Sequence, residues 1–99
     1  MYFISGVNVY KETGVSKYID YTSRCRGYYA QLTDALEVVR NYGVDINGTI
    51  NNYAVIEQIE MGINQKSRTE IWFKWDPLEK RYEPADKPEI KNPNNFALG

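Results

Sequence analysis

Only one stretch of this chain carries a helical signature, and it is short: "TDALEVVRNY", residues 33–42. Leu32, Ala35, Leu36, Val39 and Tyr42 recur at helical spacing, which gathers them into one apolar stripe. Thr33 is placed as an N-cap for an orphan amide. Asp34 and Glu37 fall in the first turn and Arg40 in the last, each complementing the helix dipole. Gly43 follows as a left-handed terminator. A helix of this length is marginal in water, because its nucleus costs more than a few backbone bonds return. Its stripe therefore needs a partner, and the rest of the chain offers strands.

Residues 2–10, "YFISGVNVY", alternate as a first strand, with Phe3, Ser5, Val7 and Val9 on one face and Tyr2, Ile4, Asn8 and Tyr10 on the other. Gly14 supplies the following turn. Residues 18–30 form a second, more polar strand. Simple alternation places Thr22, Arg24, Arg26 and Tyr28 on one face, with Ser23, Cys25, Gly27 and Tyr29 opposite. Gly27 marks a bulge or a close approach. "GVDINGTIN" is a loop turning at Asn47-Gly48. A third strand covers 53–60, apolar on both faces in its first half and ended by Gly62, and a fourth covers 69–75. "DPLEK" turns the chain into a short fifth strand, "RYEP", whose Pro84 suits an edge.

The order β-β-α-β-β-β predicts an α+β fold: a single antiparallel sheet of about five strands with one helix packed on one face. Residues 1–99 read as one domain, with 85–99 an extended C-terminal tail that Phe96 and Leu98 tie back to the body. In the fourth strand, alternation sends Ile71, Phe73 and Trp75 toward the helix and Glu70, Trp72 and Lys74 outward. Trp75 is expected to anchor the core, and Trp72 to stand exposed.

Several kinds of chemistry are absent from the sequence. There is no histidine, which removes the usual nucleophile pairs and the commonest metal ligand. Cys25 is the single cysteine, so no internal disulfide and no ordinary zinc site can form within the chain. Neither a phosphate-loop motif nor a dinucleotide fingerprint is present, and no cofactor is expected. Twelve basic residues against thirteen acidic ones give a net charge of −1, which argues against binding duplex DNA by counterion release. No apolar run reaches the ~18 residues of a membrane span. "MYFISGVNVYKE" reads as a strand and not as a signal peptide, so the expected location is cytoplasmic.

The remaining candidates are weighed individually. Glu57 and Glu60 lie on opposite faces of a strand and make a poor acid–base pair, while Glu70 reads as a solvated cross-strand partner. Cys25 lies between Arg24 and Arg26, but alternation turns its sulfur away from both guanidinium groups, leaving it a small core residue. Arg24, Arg26 and Tyr28, together with Trp72 and Lys74 on a neighbouring strand, would form a cationic and aromatic surface. Paired arginine donors grip phosphate or carboxylate, and aromatic faces stack on bases. Such a surface fits a host protein or a small anionic nucleotide. The expected function is thus non-enzymatic binding. The alternatives are a homodimeric interaction domain joined through a sheet edge and, last, a small carboxylate-based enzyme.

The motifs "NYAVIEQIEMGI", "WFKWD", "RYEP" with "KPE", and a closing "NFALG" resemble those of a family of small uncharacterised proteins of Firmicutes and their prophages. The resemblance spans about residues 25–99 and implies a bacterial or phage cytosolic protein. It brings no activity and no catalytic residues. With it, the expected binder becomes a phage or prophage accessory protein that sequesters or inhibits a host factor, such as a defence protein or its nucleotide signal.

Overall fold

The computed structural model describes residues 1–10, 20–41, 45–46, 49–60, 67–90 and 95–98. The turns expected at Gly14, Asn47-Gly48 and Gly62, and the helix end at Tyr42 and Gly43, lie outside the described residues.

Strands β1 (Tyr2–Tyr10), β2 (Asp20–Tyr29), β5 (Tyr53–Ile59), β6 (Ser67–Asp76) and β7 (Arg81–Pro84) form one open antiparallel sheet in the order β2-β1-β5-β6-β7. Two-residue strands β3 (Asp45–Ile46) and β4 (Thr49–Ile50) pair separately within the segment expected as a loop. Among the described residues the one helix is α1 (Leu32–Asn41). The fold is α+β, as the alternation predicts. The helix starts a residue earlier than expected: the amide of Ala35 donates to the carbonyl of Gln31 at 3.3 Å, so Gln31 is the cap and Thr33 lies within the first turn.

The helix connects β2 to β5 across β1 and buries Ala35 and Val39 against the sheet. They meet Ile4, Ala54, Ile56, Phe73 and Tyr82, flanked by Leu32, Leu36, Ile71 and Trp75. Strand β5 is buried on both faces through Ala54, Val55, Ile56 and Glu57, as a central strand beneath two layers must be.

The second layer overturns one expectation. Trp72 does point away from the helix, but it is only 5% exposed. It joins Val7, Val55 and Phe96 in a second apolar cluster, with Val9, Tyr21, Tyr53 and Ile90 at its margin. Trp75, expected as the core anchor, is half-buried. Trp72 is sealed because Phe96 returns to the sheet and covers the outer face, while Trp75 keeps its helix-side place at the margin of the first cluster. Leu98, expected to help, stays exposed.

Candidate functional site

The expected cationic and aromatic stripe is divided by a bulge. In the β1–β2 ladder Ile4 faces Gly27 and Ser5 faces Cys25, so Arg26 has no opposite number. An extra residue shifts the alternation by one, and every side chain beyond it changes face. Thr22 and Arg24, opposite Asn8 and Gly6, lie on the helix side of the sheet. Tyr28, opposite Phe3, lies on the other side, 63% exposed, its ring 5.8 Å from that of Phe3.

Arg26 stays with Arg24. A β-carbon on Gly6 would collide with the side-chain amide of Asn51 and come within 3.2 Å of Arg26 Nε. The absence of a side chain at Gly6 is what admits both groups. Asn51 is buried, and its carbonyl accepts a hydrogen bond from the Tyr82 hydroxyl at 2.6 Å. Arg24 remains exposed and makes no ion pair with the described residues. Lys74 is on the opposite side of the sheet, its Nζ 5.9 Å from the centre of the Tyr53 ring. The five expected contacts therefore fall into separate groups: Arg24 with Arg26, Tyr28 over Phe3, Lys74 over Tyr53, and Trp72 sealed beneath Phe96. Trp72 offers no face for stacking, and no single surface unites all five.

The strongest constellation is one that alternation passed over. Glu57 is 0% exposed at the centre of β5, on the same face as Val55 and Trp72. The amide of Phe96 donates to both of its carboxylate oxygens at 2.9 Å, and the amide of Ala97 donates to Oε1 at 3.1 Å. Burying a carboxylate without such donors would be costly, and three short contacts to backbone N–H groups offset that loss. The Leu98 amide closes a turn by donating to Asn95 Oδ1 at 2.6 Å, which holds successive N–H groups toward Glu57. The Ser23 hydroxyl donates to the Phe96 carbonyl at 3.2 Å.

Aromatic contacts complete the closure. The Phe96 ring stands edge-on to Trp72 at 5.2 Å and to Tyr21 at 5.4 Å, a geometry aromatic quadrupoles favour. Lys87 Nζ lies 5.6 Å from the Phe96 ring centre and 3.1 Å from Glu70 Oε1, an oxygen that also accepts from Trp72 Nε1 at 3.0 Å. Glu70 is thus half-buried in a tertiary network rather than a solvated cross-strand partner. Burial and the nearby negative charge of Glu57 raise the Tyr21 phenol above its ordinary value.

Two clefts flank β7. One of about 380 Å³ is lined by Arg40, Asn41, Arg81, Tyr82, Glu83 and Pro84. Arg81 there is paired with Glu83. The other, about 310 Å³, runs beside Lys74, Trp75 and Pro84. Among the described residues no group of three or more His, Cys, Asp or Glu is placed to hold a metal ion, and no helix is long and apolar enough to cross a membrane. These features define an open-sheet α+β protein with a different cover on each face. No protein-family model matches the chain, and no curated protein or solved structure matches it either.

Proposed function

We propose that this chain is a non-catalytic binding protein that holds an anionic group of its partner on the helix side of the sheet, with Arg24 as the principal contact and Arg26 beside it. The observation that carries this reading is that both residues lie on the helix side of the sheet beside Gly6, Arg24 directly opposite it and Arg26 with its Nε close to it, with Thr22 and Asn8 next along the face. A guanidinium offers paired donors to a phosphate or carboxylate. The described carboxylates of greatest burial also favour binding over catalysis: Glu57 is committed to backbone amides, and Glu70 to Trp72 and Lys87. A partner consistent with the prophage resemblance is a host protein with an acidic patch, or a small nucleotide, that the chain sequesters.

The test is native mass spectrometry of the protein purified from its own cells, beside Arg24→Ala. An anionic ligand or acidic protein should accompany the parent chain and be lost from the variant, while both melt at the same temperature. Equal retention by the variant would remove Arg24 from the site, and no companion on either chain would contradict the reading.

A second reading, homodimerisation through a sheet edge, is favoured by β2. This strand is the longer of the two sheet edges at ten residues and contains neither proline nor lysine, its guards being the bulge at Arg26 and its two arginines, whereas β7 is short and ends at Pro84. Sedimentation equilibrium separates the two, since only the second requires a dimer in the absence of any partner.

A further inference from the structure

On the outer face of the sheet, residues 95–98 lie across an apolar floor with a charged group at its base. The floor is Val7, Val55 and Trp72, all buried. Tyr21 meets Phe96 edge-on, and Glu57 sits buried at the base. Residues 95–98 supply one aromatic ring, two successive amides for Glu57 and one carbonyl for Ser23. Three of the segment's polar contacts with the sheet, the amides of Phe96 and Ala97 and the carbonyl of Phe96, are made by backbone. The sequence demand is correspondingly small: an Asn to close the turn, an aromatic residue to cover Trp72, and a following residue with a free amide.

Glu57 also gives the site a need for an occupant. A buried carboxylate that loses two backbone donors is disfavoured, so the face favours a chain that brings two adjacent N–H groups, or else admits water. The chain's own segment fits this requirement, and a second copy carries the identical segment with the same contacts to offer.

We propose that this face is a binding groove for an Asn-aromatic-small peptide, filled here in cis by residues 95–98, and that a second copy of the chain supplies the same segment when the cis one is disabled. Cis occupancy normally dominates, because tethering gives the chain's own segment a high effective concentration. The groove is distinct from the Arg24 surface, and its test does not depend on that reading.

The experiment uses full-length chains. Phe96→Ala leaves the groove intact but removes the ring of the cis segment, and Glu57→Gln leaves the segment intact but spoils the groove. A capped Asn-Phe-Ala-Leu peptide titrated into Phe96→Ala should bind saturably and shift tryptophan emission to the blue. Replacing Phe by Ala in the peptide should weaken binding about tenfold or more. Mixing the two variant chains should give a heterodimer in sedimentation velocity, where each alone sediments as a monomer. If Phe96→Ala does not fold, Ala97→Pro replaces it as the acceptor, since it deletes one amide donor and keeps the ring. Failure of a folded acceptor to bind the peptide overturns the groove. Peptide binding without a heterodimer overturns the second copy as its source.

Discussion

On one face of the sheet, the helix sets Ala35 and Val39 against Ile4, Ala54, Ile56 and Phe73. On the other, Phe96 covers Val7, Val55 and Trp72, and its backbone is held by the carboxylate of Glu57. The first closure is spread over many apolar contacts, none of them directional, so its free energy accumulates with area. The second concentrates a large share of its free energy in one buried charge and its donors. A distributed closure loses stability by degrees when one residue is trimmed. A concentrated closure opens when its charge is removed.

Glu57→Gln provides the sharpest break between the two. The amide side chain keeps the size but loses the charge and one of the two acceptor oxygens, and sets an NH2 group where the second oxygen faced the amide of Phe96. A loss of about 3 kcal/mol in urea unfolding is expected, since hydrogen bonds to charged groups are the costly ones to disrupt. Tryptophan emission should move to the red as Trp72 meets water, while far-ultraviolet circular dichroism retains the helix. An unchanged emission maximum would show that the outer face is held by apolar contact after all.

Gly6→Ala probes the helix side and should cost less, about 1–3 kcal/mol, as overpacking usually does. The new methyl must displace the buried Asn51 side chain and crowd Arg26. Trp72 emission should stay in place, because Gly6 faces away from it. A neutral Gly6→Ala would mean that Asn51 and Arg26 have room to move, and the Arg24 surface would be looser than drawn.

The helix side was legible from residue spacing. The stripe from Leu32 to Val39 and the inward set Ile71, Phe73 and Trp75 meet as period and alternation require. The strands fell within a few residues of their expected limits, and the double burial of β5 followed from the apolar run in "YAVIEQI". Legibility failed where a single residue changes phase or where a polar residue goes inside. Arg26 bulges out of the ladder and carries Tyr28 to the far face, whereas the sequence marked only its neighbour Gly27 as irregular. Glu57 looks like a surface residue by composition. The signals that would have revealed it are its place in an apolar central strand on the face of Val55, and an Asn-aromatic pair elsewhere with amides to spare. Neither has a period, so neither stands out until the two are brought together in space.

The claim that Glu57 clasps residues 95–98 onto the sheet is tested most directly by amide hydrogen exchange, residue by residue, in the unmodified chain and in Glu57→Gln. The amides of Phe96 and Ala97 should be protected in the first and exchange freely in the second, while that of Ile56 in β5 stays protected in both. Exchange of Phe96 and Ala97 at the rate of an unstructured peptide in the unmodified chain would contradict the account.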